Sequence, residues 1–296
     1  MRLRFFRKTA WSLFAVLIFL CTETSVRAQV PTTSSTKSSV GIADDPCSAM
    51  PALPDAFVKF QAQVDEAKRW GKPLPKLEPS SEISSELEKW RWETLMRDFG
   101  QLCRYEAENR RLPPASQQRV VFFGDSITEN WSTEDPKFFR SDFINRGISG
   151  QTTTQMIIRY RADVIDLEPH VVHLLVGTND IAGNTGPTTI DRIKSAIVSM
   201  VEQARCHKIN VLLGSVLPAS RYSWRPEILP IEHIKELNEW LKSYARQNGL
   251  LYVDYYSAMD DGAHGMKSEL TDDGVHPNAR GYAVMDQLLL KALGSK

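Results

Sequence analysis

The chain has 296 residues, 42% of them hydrophobic, with 36 basic and 36 acidic side chains and no formal net charge. That is enough apolar material for a sizeable core, and the balance excludes nucleic-acid binding driven by bulk positive charge. Sixteen glycines and sixteen prolines exclude a collagenous or low-complexity chain.

The first element is a targeting segment. Arg2, Arg4, Arg7 and Lys8 precede an apolar run from Trp11 to Leu20, and Val26-Arg27-Ala28 sets small residues at −3 and −1 of a cleavage site. This is the layout of a secretory signal peptide over residues 1–28, and the run is short for a membrane span. An uncleaved anchor ranks below it. So does a lipoprotein reading at Cys21, because Leu20 stands where a lipobox has a small residue. Cleavage removes five basic residues and one acidic one, which leaves a mildly acidic chain of net charge −4. Such a chain gains no general attraction to nucleic acid or anionic lipid, so no stable membrane partner is expected after cleavage. The expected location is secreted or periplasmic.

Residues 29–116 read as a tether and a helical N-terminal extension. The Ser/Thr-rich stretch 29–46 is the tether. Phe57, Phe60 and Val64 mark a helix over 55–69, and the Pro-broken segment 72–77 follows. A longer helix is expected from Ile83 to Arg111, with Trp92, Leu95, Met96, Phe99 and Leu102 on its apolar face, stopped by Pro113-Pro114. Cleavage leaves three cysteines. An oxidising compartment permits one disulfide. Cys206, late in an amphipathic helix, reads as a buried free thiol, so Cys47 and Cys103 could pair. No ligand spacing for zinc occurs, and no metal or cofactor is expected.

From 117 to 296 strand and helix patterns alternate. Apolar runs lie at 119–123, 143–148, 171–176, 210–217 and 250–255, and helical periods at 153–167, 188–206, 231–248 and 279–293. Alternation implies right-handed crossovers, a parallel sheet and helices on both faces, with ligands beyond the carboxyl ends of the strands. Four clusters fall at such ends: Gly124-Asp125-Ser126-Ile127, Ser149-Gly150-Gln151-Thr152, Gly177-Thr178-Asn179-Asp180 and Asp273-Gly274-Val275-His276.

Each cluster carries a use. Ser126 needs a base to become a nucleophile, and His276 titrates near neutrality. Asp273, three residues earlier, can fix the imidazole; the adjacent Asp272 is the lesser candidate. The backbone N–H groups of Ser126 and Gly150 and the amide of Asn179 are suitable oxyanion donors. Asp125 and Asp180 read as braces for their loops. His170, His173, His207, His233 and His264 lack catalytic company, and His173 reads as a core residue. Two loops could shape a pocket: Ile181–Gly186, and 218–226, where Arg221, Tyr222 and Trp224 suit stacking against a sugar.

These four blocks resemble those of the SGNH hydrolases, also called GDSL esterases/lipases, over about residues 117–294. The first block has Ile127 where the family name has leucine. The resemblance implies an α/β, three-layer α/β/α flavodoxin-like fold with a five-stranded parallel sheet of order 2-1-3-4-5. It implies Ser126 as nucleophile, His276 and Asp273 as its partners, Ser126, Gly150 and Asn179 as the oxyanion hole, and no metal or cofactor. It says nothing about the extension. The expected substrate is a small-molecule or carbohydrate ester, with acetyl esters of carbohydrates foremost. The alternatives are a lysophospholipase or thioesterase activity and a non-catalytic glycan-binding module.

Overall fold

A computed structural model describes residues 42, 44–70, 72, 75, 81–139 and 142–294. The expected signal peptide at 1–28 lies outside the described residues, as do most of the tether at 29–46 and most of the connector at 72–77. In chain order the helices are α1 (Asp55–Arg69), α2 (Glu82–Arg97), α3 (Glu106–Asn109), α4 (Ser126–Glu134), α5 (Thr153–Asp163), α6 (Thr178–Ile181), α7 (Ile190–Cys206), α8 (Ile231–Asn248), α9 (Tyr255–Met259) and α10 (Ala279–Ala292). The strands are β1 (Val120–Gly124), β2 (Phe143–Gly147), β3 (Val171–Leu175), β4 (Asn210–Gly214) and β5 (Leu251–Val253).

The five strands form one parallel sheet of order β2-β1-β3-β4-β5. Its centre is apolar on both sides, which is why β1 and β3 read as continuous hydrophobic runs. In β1, Val121 and Phe123 face one layer, built on Met156 and Tyr160 of α5, Ile197 of α7 and Leu237 of α8. Val120 and Phe122 face the other, built on Ile127 and Trp131 of α4 and Tyr282 and Met285 of α10. His173 is fully buried in that second layer. Its Nε2 lies 3.1 Å from the Tyr255 hydroxyl, and burial lowers its pKa to about 3. It is a neutral core residue, as read from the sequence.

Register sets the site. Gly124 pairs with Gly147 on one side and Leu175 on the other, so β1, β2 and β3 end level. The three segments that follow therefore emerge side by side.

The extension departs from expectation in two ways. The helix expected from 83 to 111 ends at Arg97. The Asp98 carboxylate accepts from the backbone N–H of Leu102 and Cys103 at 2.9 Å each, and Gln101 adopts the left-handed conformation. At Gly100 the chain passes over α5 so closely that a Cβ would sit 2.6 Å from Ile158 Cγ2. The expected apolar face is also not buried: Trp92 is 61% and Met96 79% exposed, and Phe99 and Leu102 are exposed too. The extension docks instead through Tyr105, which is buried and stacks against the Arg146 guanidinium, and through main-chain carbonyls. Gly100 O accepts from Gln151 Nε2 at 3.0 Å and Phe99 O from Gln155 Nε2 at 3.0 Å.

Cys47 and Cys103 form a disulfide with Cα atoms 5.3 Å apart. Cys206 is exposed at the end of α7, and there is no free thiol among the described residues, so the buried-thiol expectation is corrected on both counts. The α7 stripe buries its other face, and position 206 falls off that stripe.

Candidate active site

Ser126 is the first residue of α4, directly after the turn that leaves β1. Asp125 caps the helix, its Oδ1 accepting from Ile127 N at 3.0 Å. This cap fixes the entry angle and presents the Ser126 hydroxyl at the helix N-terminus, where partial positive charge favours an anion. Ser126 Oγ lies 2.9 Å from His276 Nε2.

His276 comes from the segment between β5 and α10. Its Nδ1 lies 2.7 Å from Asp273 Oδ2. Asp273 Oδ1 in turn accepts from Val275 N at 2.9 Å and His276 N at 2.8 Å, so the carboxylate is held by its own turn. Thr271 Oγ1 closes that turn by donating to His276 O at 2.7 Å. Asp272 is exposed, and Asp273 is the acid that holds the imidazole. Partial burial would raise the Asp273 pKa, but the His276 hydrogen bond and charge, with the two backbone donors, hold it far below the usual carboxylate range. For His276, burial works downward. The hydrogen bond and charge of Asp273, and the charge of Asp125, outweigh it and raise the imidazole above its ordinary value.

Gly150 and Asn179 are joined through the Asn184 side chain, and Asn179 is bonded to Asp125, the residue before Ser126. Gly150 has φ +79°, a conformation that favours glycine in the turn after β2. Asn179 Nδ2 donates to Asp125 Oδ2 at 3.1 Å and to Gln151 O at 3.2 Å. Asp180 braces both loops: its carboxylate accepts from Thr153 N at 3.0 Å and from Thr153 Oγ1 at 2.6 Å. Asp125 is fully buried, and desolvation pushes its pKa up to about 6 against the pull of the Ile127 N–H and the His276 charge.

Residues that the sequence reading did not single out hold this arrangement. Arg159 is fully buried on α5. Its guanidinium donates to Gly124 O at 3.0 Å, Arg146 O at 2.9 Å and Gln151 Oε1 at 2.5 Å, and pairs with Asp163 at 3.0 Å. It ties the ends of β1 and β2 to the Gly150 turn. Glu129 accepts from Ser149 N at 2.8 Å and secures the same turn from α4. The one sequence cue was Arg159 and Asp163 at i,i+4 within an otherwise inward-facing helical period.

The 218–226 loop reaches the site through Trp224. Its ring lies 6.2 Å from the His276 ring and stacks at 5.0 Å on Tyr222. Trp224 is partly exposed. Tyr222 is completely buried, so it supports Trp224 from behind and cannot itself stack against a ligand, which corrects its reading as a substrate-binding residue. Arg221 is exposed.

The arrangement has a hydroxyl within reach of an imidazole, an acid behind the imidazole and an asparagine amide bonded to Asp125, the residue before the hydroxyl. Such a set can transfer an acyl group without a metal. Comparison with known proteins points the same way. The sequence profile of the GDSL-like Lipase/Acylhydrolase family matches residues 122–284. The solved structure of a GDSL-like lipase from Bacteroides thetaiotaomicron VPI-5482 is 41% identical, covers 66% of this chain and 98% of its own, and superposes with a TM-score of 0.65. The acetylxylan esterase of Geobacillus stearothermophilus is 23% identical over 160 residues, 51% of this chain and 71% of that protein. The uncharacterized lipoprotein YqeF of Bacillus subtilis (strain 168) is 34% identical over 117 residues, 33% of this chain; the match spans about half of YqeF, 48% of its length. The profile match spans more than half of the chain and contains the Ser126, Gly150, Asn179 and His276 segments, and the chain belongs to the GDSL-like lipase/acylhydrolase family of ester-hydrolysing enzymes.

Proposed function

We propose that this chain is an exported serine esterase that removes short acyl groups, acetyl foremost, from carbohydrates. The observation that carries the mechanism is the hydrogen-bonded chain Ser126 Oγ–His276 Nε2–Asp273, at 2.9 and 2.7 Å. His276 takes the Ser126 proton as Oγ attacks the ester carbonyl. The tetrahedral oxyanion is stabilised by the N–H groups of Ser126 and Gly150 and by Asn179 Nδ2, which shares with it a hydrogen that otherwise goes to Asp125 or Gln151 O, each such donor being worth about 3 kcal/mol in related chemistry. His276 then protonates the leaving alcohol. Water, deprotonated by the same imidazole, clears the acyl-enzyme. Asp273 keeps the imidazole oriented and stabilises its charged form.

The substrate class is supported by Trp224, an indole set beside His276 on a buried Tyr222 platform, which suits stacking against a sugar ring. The named activity of the Geobacillus relative supports it independently. Export is supported by the signal-peptide layout of residues 1–28 and by the lipoprotein designation of YqeF.

The test is hydrolysis of p-nitrophenyl esters from acetate to palmitate by residues 29–296 and by Ser126→Ala. The wild type is expected to prefer the short esters and to release acetate from acetylated xylan. Ser126→Ala is expected to fall by about three orders of magnitude or more. Preference for palmitate, lysophospholipid or acyl-CoA would instead favour the lysophospholipase or thioesterase reading. Equal activity of the two proteins would remove the serine mechanism.

A further inference from the structure

Asn184 lies in the loop after α6, half-buried and outside the four sequence blocks. Its side chain makes three hydrogen bonds. Asn184 Oδ1 accepts from Trp224 Nε1 at 3.1 Å; Asn184 Nδ2 donates to Asn179 Oδ1 at 2.8 Å and to Gly150 O at 3.2 Å. Two of these partners have only one polarity. An indole N–H can only donate, and a backbone carbonyl can only accept. Together they leave Asn184 a single amide orientation, with its NH₂ towards Asn179.

That orientation passes on. Asn179 Oδ1 faces Asn184, and its NH₂ faces Asp125 and Gln151 O. Asp125 terminates the relay as an acceptor at 3.1 Å. Trp224, Asn184, Asn179 and Asp125 thus form a one-way chain of donors, from the 218–226 loop to the turn that carries the nucleophile. Asn184 is also bonded to Gly150, so it touches two of the three proposed oxyanion donors. Gln151 O and Asp125 hold the Asn179 amide from one side and Asn184 from the other, so without Asn184 the Asn179 side-chain oxygen loses its one donor among the described residues and Gly150 O loses a side-chain partner.

We propose that Asn184 is a positioning residue for the oxyanion hole, which holds the Asn179 amide from its oxygen side, opposite Gln151 O and Asp125, and seats Gly150, and that Trp224 locks it. This rests on the reading of Ser126, Gly150 and Asn179 given above.

The experiment compares Asn184→Asp, Asn184→Ala and Trp224→Phe on p-nitrophenyl acetate, with Ser126→Ala and Asn179→Ala alongside. Asn184→Ala is expected to lower kcat by about 10- to 100-fold with KM changed little, because a transition-state donor is mis-set and ground-state binding is not. Asn184→Asp is nearly isosteric, yet it sets a carboxylate against Asn179 Oδ1 and Gly150 O and invites the reversed amide. Its kcat is expected below that of Asn184→Ala. Trp224→Phe keeps an aromatic ring but removes the N–H along with part of the indole, and because it leaves the Asn184 amide bonded to Asn179 and Gly150 its effect on kcat is expected to be the smallest of the three. In the Asn179→Ala background, Asn184→Ala is expected to cost no more than about threefold, since most of its effect runs through Asn179. The acid limb of the pH profile and the thermal midpoint are read for each variant and are expected to stay close to wild type. Equal or reversed ranking of Asp and Ala, or full additivity with Asn179→Ala, overturns the proposal. Retained activity in Ser126→Ala would instead overturn the serine mechanism beneath it, and the two failures are distinguishable in one data set. If Asn184→Ala melts early, the Asp-versus-wild-type comparison and Trp224→Phe still decide, as neither opens a cavity at 184.

Discussion

At the scale of single residues, the site is a balance of charges that burial makes strong. Asp125 is fully buried with its pKa pushed up to about 6, while Asp273 is held far below the ordinary range by His276 and two backbone donors. Environment therefore gives the two carboxylates different work. The imidazole is raised by the Asp273 hydrogen bond and charge, with Asp125 adding to it, against the downward effect of burial. In the proposed mechanism His276 must be neutral to accept the Ser126 proton. Activity should then fall as pH drops through a value above 6.5, the ordinary pKa of histidine. In Asp273→Asn the leading raising contributions vanish, so the acid limb of kcat/KM should move to lower pH. Turnover at the plateau should fall by about 10³- to 10⁴-fold, since the amide cannot hold the required tautomer. A pH–rate profile of the two proteins checks both signs; an unmoved limb would mean that Asp273 does not govern the imidazole. The sequence displayed these residues because each sits in a short motif with a local geometric reason, such as the i−3 spacing of Asp273 and His276. Asn184 had no such cue. Its role follows from the polarity of partners 5, 34 and 40 positions away in the chain.

At the scale of elements, the sheet and its larger helices were legible because burial on both faces writes itself as apolar runs and 3.6-residue stripes. The interval 231–248 coincides with α8. The helix α4 was not among the expected elements. Its sequence, Ser-Ile-Thr-Glu-Asn-Trp-Ser-Thr-Glu, is polar apart from two residues, Ile127 and Trp131, which with Thr128 are its buried positions. Trp131 is completely buried and stacks at 5.6 Å on both Phe138 and Tyr282. Its indole N–H donates to Asp286 Oδ1 at 2.8 Å, which joins α4 to α10 behind the turn that carries Ser126. Burial, with the neighbouring Asp135, pushes Asp286 up to about 7 against the pull of the Trp131 bond. A carboxyl raised on folding favours the fold while protonated. Its contribution declines as pH rises from the ordinary carboxylate range through about 7. Asp286→Asn keeps an acceptor for Trp131 and removes the charge. The variant should therefore melt a few degrees above wild type at pH 8, roughly what 1 kcal/mol gives in a protein of this size, once the partial exposure of Asp286 is allowed for. At pH 5 the difference should shrink or vanish. Melting curves at the two pH values decide; a variant less stable at both would mean that the carboxylate is needed as an ion.

At the scale of the whole molecule, the extension is joined to the sheet edge that carries the site. Its sequence suggested a helix packing by an apolar stripe, but that stripe is exposed and the docking runs through backbone carbonyls, which no side-chain pattern announces. Trp90 Nε1 donates to Pro51 O at 2.9 Å within the extension, and the Cys47–Cys103 disulfide closes the same segment. The contacts made on the sheet side are specific. Arg146 is almost fully buried, with its Nε donating to Asn109 Oδ1 at 2.8 Å and Tyr105 lying over its guanidinium. The Tyr105 hydroxyl donates to Gly147 O at the end of β2. Gln151, whose main-chain oxygen accepts from Asn179, is itself anchored to Gly100 O. A fragment limited to 117–296 would contain every proposed catalytic residue but would lose these partners. Arg146 would lose its acceptor at Asn109 and its cover at Tyr105, and the Gly150 turn would lose one of its anchors. Stranding a charge in this way typically costs several kcal/mol. The fragment 117–296 should therefore melt well below residues 44–296, and whatever portion folds should turn over p-nitrophenyl acetate at least tenfold more slowly, with kcat affected more than KM. Side-by-side melting and steady-state kinetics of the two fragments make the test. Equal stability and turnover would mean that the extension merely rests on an independent domain. The expected loss would mean that the Gly150 turn depends on residues 98–109 for its geometry, so that the functional unit begins well before the family profile does.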